Sequence, residues 1–549
     1  MGTINKIGIL FLLFIFAIKS FAQISVAQNG IVASAHELAS KTGIEILKQG
    51  GNAVDAAVAT AFVLSVVEPY ASGIGGGGFM TIKMKNSKPI TIDYREKAPA
   101  KATNDLYYSN DTDFKLITTV GAKAIGVPGV LMGLTLALQK FGTMSLSRVI
   151  EPAIRIANDG YEVSQTMYDI IIEEYGVISQ FEETSKIYLD EGLPPEIGYR
   201  IQNTDLADSY KEIGEKGINT FYKNRIANKI IDAVQTYGGI LTLNDLNNYE
   251  PIIKQPVIGK YKGFEIVSSA PPSGGGTHLV ELLNILEHFD LKKLGLNSAE
   301  YIHVFAEAIK IVQSDKTQFM ADPNFVEVPV DKLTSNDYAK TAAGYIDPDK
   351  AKFDWIPGGI KDSESGSTTS LSVIDKDYNM VTITQSLNLF FGCGITIPST
   401  GIILNNHLDN FESLPDKANS IEPNKRPVSS IAPTIILKDG KPILTFGTPG
   451  GSRIIGTMAQ VLVNIIDFGM SFQDAITSPK FHATNQKLHL ENRIPESVVN
   501  QLEQKGHEVE IHPAFDKYFG GVQGVMIDYK NKNLIGAADP RRGGSVQGY

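Results

Sequence analysis

Thr368-Thr369-Ser370-Leu371-Ser372-Val373-Ile374, then Asp375-Lys376-Asp377-Tyr378-Asn379, then Met380-Val381-Thr382-Ile383-Thr384-Gln385-Ser386: two alternating runs rich in β-branched residues flank a polar turn. This is the pattern of a β-hairpin. A Thr-Ser strand has ordinary β propensity and is unremarkable alone. Its lead-in sets it apart: Asp362-Ser363-Glu364-Ser365-Gly366-Ser367 is small and polar, and the character of the chain changes there.

Further strands are expected on both sides of the hairpin, at Phe79 to Met84 and Ile90 to Tyr94 before it, and at Thr434 to Leu437, Ile443 to Phe446, His507 to Ile511 and Gly524 to Ile527 after it. Helical spacing marks Leu38 to Leu47, which stops at Gly50-Gly51. Asn52 reads as an N-cap with Asp55 in the first turn, opening an all-apolar and therefore buried helix to Val67. Thr277 to Leu286, Ala299 to Val312 and Thr457 to Ile466 also read as helices, and the middle of the chain is mainly helical. Alternating strand and helix blocks argue for an α/β or α+β sandwich. No internal repeat or low-complexity tract interrupts them.

Met1 to Ala22 reads as a secretory signal peptide: Lys6, an apolar stretch from Ile7 to Ile18, and the small-x-small pattern Ser20-Phe21-Ala22. Its apolar stretch is short for a membrane span, although an uncleaved anchor is the alternative. The longest later apolar run, Ala56 to Val67, contains Thr60 and Ser65, so no membrane association is expected once the leader is gone. Removing the leader takes away Lys6 and Lys19 and no acid, moving the formal charge from -10 to -12. Charges of both signs are interspersed, which argues against nucleic acid. The single cysteine, Cys393, excludes an internal disulfide, and a chain of 549 residues has core enough without one.

Several chemistries are excluded by motif. Gly73-x-Gly75-x-x-Gly78 has dinucleotide spacing but follows a helix and precedes a strand, the reverse of a phosphate site; these glycines are expected to let backbone approach backbone. The nine histidines contain no HExxH pair, so no metal is expected, and His507 and His512 read as structural. No G-x-S-x-G elbow occurs.

Six segments in order then carry a resemblance: Gly50-Gly51-Asn52-Ala53-Val54-Asp55-Ala56-Ala57, Asp93-Tyr94-Arg95-Glu96, Ala270-Pro271-Pro272-Ser273-Gly274-Gly275, Thr368-Thr369-Ser370-Leu371-Ser372-Val373, Pro427-Val428-Ser429-Ser430 and Thr448-Pro449-Gly450-Gly451-Ser452-Arg453. From about Gly30 to Tyr549 the sequence resembles the gamma-glutamyltransferase family of N-terminal-nucleophile hydrolases. The resemblance implies an α+β fold, a four-layer αββα sandwich built jointly by two fragments. It implies self-cleavage between Ser367 and Thr368, leaving 23–367 and 368–549 as one interleaved heterodimer, which overrides the three or four domains that length alone suggests.

The implied chemistry suits the residue types. A threonine hydroxyl needs a base, and a chain-terminal threonine carries one in its α-amine, whose pKa is about 7.7 to 8. The resemblance assigns Thr368 as nucleophile, with Thr369 the alternative that the motif register disfavours. It assigns Ser386 to orient the nucleophile, where the family usually has threonine, and the backbone N–H groups of Gly450 and Gly451 to hold the oxyanion. Asn388 falls on a substrate-binding asparagine. Arg95, with Ser429 and Ser430, is to bind the donor's α-carboxylate, although Arg95 beside Asp93 and Glu96 can also form a plain ion pair. The implied donor is glutathione or another γ-glutamyl compound, and the acceptor is water, an amino acid or a dipeptide. No cofactor is implied, and the place of action is periplasmic or extracellular.

Two positions depart from the family pattern. The residues that normally grip the donor's α-ammonium read Asn410 and His407, so an amide stands where a carboxylate is usual, and a protonated His407 would repel an ammonium. Residues 411–423 are short, as if a lid loop were missing and the cleft open. Both departures resemble acylase-like relatives that take glutaryl or cephalosporin side chains. Three readings follow: a glutathione hydrolase and transferase, an acylase for groups lacking the α-amine, and an inactive binding protein on the same scaffold, which intact Thr368, Gly450 and Gly451 argue against.

Overall fold

The computed structural model describes residues 23–109, 113–353, 355 and 367–549; the expected leader and the polar lead-in at 362–366 lie outside them. The hairpin forms as expected. Strands Ser367–Asp375 and Met380–Asn388 pair antiparallel, with Ile374 opposite Met380. Every residue of both is buried, because they lie in the middle of a seven-stranded antiparallel sheet ordered Ser545–Gly548, Gly30–Ser34, Ser367–Asp375, Met380–Asn388, Gly77–Lys83, Ile90–Asp93, Ile252–Lys254.

A second seven-stranded antiparallel sheet runs Gln23–Ala27, Asn533–Ala538, Gln523–Asp528, Lys441–Gly447, Thr434–Lys438, Phe264–Ser268, Val257–Tyr261. The sheets pack face to face through a core that includes Ile31, Ile374, Ile435 and Val525. The Ser372 hydroxyl donates across the gap to the Gln523 carbonyl at 3.0 Å, and Thr81 donates to the Pro433 carbonyl at 2.7 Å. Helices cover the outer faces: Glu37–Lys48 and Ala53–Val67 over the first sheet, and Gly274–Glu287, Phe472–Thr477 and Arg453–Ile466 on the side of the second. The result is the four-layer αββα sandwich. Each sheet takes strands from both sides of the Ser367–Thr368 bond.

Asn52 caps as expected. Its Oδ1 accepts from the amides of Val54 and Asp55 while Asp55 Oδ2 accepts from the Asn52 amide. This capping box satisfies orphan donors at both ends of the turn, and its loss typically costs about 1 kcal/mol. All of Ala53–Val67 is buried, and burial of each of Phe62, Leu64 and Val66 contributes about 1.5–3 kcal/mol. The helices Gly274–Glu287 and Arg453–Ile466 start ahead of the expected Thr277 and Thr457, the first because Ser273 caps a run of three glycines and the second because Ile454 and Ile455 already belong to its apolar face. The strand expected at His507 begins at Val509 instead and pairs parallel with Leu488–Glu491. His507 turns away, its Nε2 lying 2.8 Å from His303 Nδ1. The glycine run does let backbones meet: a Cβ on Gly75 would lie 2.0 Å from the Ile403 carbonyl oxygen and one on Gly76 would lie 2.2 Å from that of Ser386. Among the described residues no helix is long and apolar enough to cross a membrane.

Candidate active site

Thr368 lies at an irregularity in the hairpin. Pairing steps from Ser367 opposite Asn388 to Thr369 opposite Gln385, so Ser386 and Leu387 together face Thr368. A bulge of this kind bends the ladder and re-aims side chains. Asn388, just beyond it, takes a left-handed φ of 84°. The Thr368 hydroxyl lies 2.6 Å from the carbonyl oxygen of Ser367 and 3.3 Å from Ser386 Oγ. Ser386 Oγ donates to that same Ser367 carbonyl at 2.5 Å and accepts from the Asn388 amide. Two hydroxyls therefore converge on the peptide bond ahead of Thr368.

Thr369 is placed differently. Its side chain falls on the other face of the strand, where its hydroxyl donates to Glu68 Oε2 at 2.5 Å. Burial raises the Glu68 carboxyl to about 6, with Thr369, Tyr70 and Arg542 holding back the rise. Thr369 does not line the cleft into which Thr368 opens.

That cleft is lined by all the expected site residues except Gly450. Gly450 and Gly451 precede helix Arg453–Ile466 and have φ of 137° and 56°, which side chains rarely adopt. Among the described residues neither amide has a hydrogen-bond acceptor. Both lie at the positive end of the helix dipole. Ile431 and Ile454 add apolar wall.

Arg95 is buried and heavily engaged. Its Nε donates to Pro427 O at 3.2 Å, its Nη2 to Val428 O at 2.9 Å and to Asn410 Oδ1 at 2.6 Å, and its Nη1 lies 3.5 Å from Glu96 Oε2. Asn410 Nδ2 donates in turn to Asn388 Oδ1 at 2.8 Å, a chain from guanidinium to bulge. The expected repulsion by a charged His407 does not arise. Burial, with Arg95 close by, lowers the imidazole to about 4, and its Nδ1 lies 2.7 Å from Glu96 Oε1. The ring is neutral at pH 7. Among the described residues no carboxylate lines the cleft; Glu96 stays fully buried beside Arg95 and His407.

Sequence reasoning missed one charge at the rim. Lys316, in helix Ala299–Phe319, donates to Ser430 Oγ at 2.6 Å. Its only sequence signal is a helical pattern that runs past Val312, and the partner lies 114 positions away. Arg95 in the cleft wall and Lys316 on Ser430 are both groups that can meet a carboxylate.

Comparison with known proteins fits this geometry. The family model described as Gamma-glutamyltranspeptidase matches residues 39–549. The glutathione hydrolase proenzyme of Escherichia coli K12 is 42% identical over 534 residues, 94% of this chain and 91% of the relative. The Acylase ACY 1 proenzyme of Pseudomonas sp. SE83 is 38% identical, covering 94% and 93%. The solved structure of a cephalosporin acylase from Bacillus halodurans superposes with a TM-score of 0.89 at 28% identity, covering 98% of this chain and 99% of that one.

Proposed function

We propose, since the chain belongs to the gamma-glutamyltranspeptidase family, that it is an exported glutathione hydrolase and gamma-glutamyltransferase working through Thr368. The observation that carries the assignment to Thr368 is its hydroxyl, 2.6 Å from the Ser367 carbonyl and open to the cleft.

In the precursor Thr368 Oγ attacks the Ser367 carbonyl carbon. The Ser367–Thr368 C–N bond breaks, its nitrogen takes the hydroxyl proton, and the acyl group rests on Oγ as an ester. Water cleaves that ester, leaving a carboxylate on Ser367 and a free α-amine on Thr368. In the mature site this amine, neutral in appreciable part near pH 8, takes the proton from Oγ as Oγ attacks a γ-glutamyl amide carbon. The amides of Gly450 and Gly451 stabilise the oxyanion; one such donor is typically worth about 2.7–4 kcal/mol. The proton passes to the departing amine, and water or an acceptor amine releases the acyl group. Arg95, Ser429 and Ser430 bind the donor's carboxylate, which competes with the Asn410 carbonyl for Arg95 Nη2 and wins as the charged acceptor. Ser386 orients Thr368, while Asn388 and Asn410 set the inner wall.

A second reading, an acylase for glutaryl-type groups, is favoured by one observation: Asn410 bridges Arg95 and Asn388 where a carboxylate would meet an ammonium. Purified protein, checked on a gel for two fragments and given γ-glutamyl and glutaryl anilides side by side, separates the two. Faster γ-glutamyl release is expected; faster glutaryl release makes it an acylase, and a Thr368→Ala variant that still splits or turns over removes Thr368 from the mechanism.

A further inference from the structure

Two clusters of histidine and carboxylate stand apart from the cleft among the described residues, and they differ in one respect. In the first, His303, Glu307 and His507, Lys310 Nζ already lies 2.5 Å from Glu307 Oε1, while Glu307 Oε2 accepts from Lys352 N and Trp355 Nε1. Both oxygens of Glu307 are thereby engaged. In the second, His489, Glu510 and His512, the Lys487 ammonium sits on Glu510 Oε2 and leaves Oε1 facing the two imidazoles.

The second cluster follows from the parallel pairing of Leu488–Glu491 with Val509–His512. His489 is opposite Glu510, and His512 is two residues along from Glu510, so all three side chains emerge on one face. His489 Nδ1 lies 3.0 Å from His512 Nε2, and Glu510 Oε1 lies 3.9 Å from the former and 3.7 Å from the latter. Ligands about 2.0–2.1 Å from a tetrahedral zinc sit roughly 3.3 Å apart, close to this triangle. The remaining contacts suit ligation. Asp516 Oδ2 lies 3.2 Å from His512 Nδ1, the outer carboxylate that fixes a metal-binding imidazole. Lys487 pairs with Glu510 Oε2 at 2.8 Å, leaving Oε1 for the cluster. Tyr518 stacks on the His512 ring with centroids 4.4 Å apart. His482, opposite His489 on the other side, bonds Gln313 instead.

We propose that His489, Glu510 and His512 form a site for one zinc-like divalent ion, with solvent as fourth ligand and Asp516 as positioning residue. Nitrogen and carboxylate ligands in a tetrahedral set select zinc over calcium or magnesium. The ion braces the segment behind the glycine pair: Asp516 also accepts from the Tyr518 amide, and two residues on, Gly520 comes so near Gly450 that a Cβ on Gly450 would lie 3.4 Å from Gly520 Cα. The proposal stands against the expectation of no metal and of a structural His512, and zinc titration decides between them. The motif search missed the site because its residues come from two strands.

The test is titration of zinc chloride into untagged, chelator-stripped protein by calorimetry. One zinc per chain is expected, with His489→Gln, Glu510→Gln and His512→Gln each weakening it at least tenfold and Asp516→Asn weakening it about tenfold. His303→Gln is expected to bind as wild type does. None of these residues lines the cleft; circular dichroism and the thermal midpoint of each metal-free variant report whether it folds, and Glu510, at the exposed edge, is the safest substitution. Hydrogen exchange over residues 509–521 should slow on adding zinc to wild type and not to Glu510→Gln. No saturable binding, binding that survives Glu510→Gln unchanged, or binding lost in His303→Gln overturns the proposal.

Discussion

At the scale of single residues, the proposed discrimination between acyl groups turns on Asn410. Its carbonyl accepts from Arg95 and its amide donates to Asn388, so it completes a hydrogen-bond chain while offering a substrate ammonium no charge. An aspartate there would keep the acceptor for Arg95 and add a negative charge, while its second oxygen would face Asn388 Oδ1, which can turn its amide to donate only by giving up its bond to the Asn406 carbonyl. A charged hydrogen bond is worth about 1.5–3 kcal/mol, or one to two decades. Asn410→Asp should therefore raise the ratio of kcat/KM for γ-glutamyl over glutaryl anilide by about tenfold to a hundredfold; a ratio that stays level or falls would show that the ammonium is read elsewhere. The substitution itself is visible in the sequence. The bridge it makes is not, because Arg95 and Asn410 lie 315 positions apart.

At the scale of elements, the end of one helix determines what the nucleophile's neighbour does. Helix Ala53–Val67 runs behind the hairpin and ends at Glu68, whose carboxylate takes the hydroxyls of Thr369 and Tyr70. The helix was legible from its cap and apolar run, and the hairpin from its alternation, because both signals are local. The contact between them is set by packing, and the short strands Gly30–Ser34 and Ser545–Gly548 were unreadable because their pairing partners are remote in sequence. Glu68 provides a pH test of this junction. Its carboxyl is raised from 4.5 to about 6, so the folded chain binds the proton more tightly than the unfolded one, and the contribution is fully present below about 4.5 and lost as pH rises through 6. A shift of that size corresponds to about 2 kcal/mol. Denaturation midpoints at pH 4.5 and pH 7 should show wild type losing that much relative to Glu68→Gln on going to pH 7; parallel profiles would mean that the carboxylate is solvated rather than buried.

At the scale of the whole molecule, the cleavage proposed ahead of Thr368 would cut a chain whose two fragments share both sheets. In the first sheet Gly30–Ser34 pairs with Ser367–Asp375 on one side and Ser545–Gly548 on the other, and Met380–Asn388 pairs with Gly77–Lys83. In the second, Phe264–Ser268 pairs with Thr434–Lys438 and Gln23–Ala27 with Asn533–Ala538. Separating the fragments would expose strand edges in both sheets and the core between them, at roughly 25 cal/mol for each Å² of apolar surface uncovered. The fragments should accordingly behave as one cooperative body, co-eluting at equal stoichiometry in high salt and sub-denaturing urea and parting only at the transition that abolishes activity. Salt alone is not expected to release them, since ladder hydrogen bonds and apolar packing outweigh the exposed ion pairs that also cross, such as Lys85–Asp377 and Lys517–Glu173. Release of a folded fragment 368–549 below that transition would show that the sheets divide between the fragments and that the shared pairings contribute little.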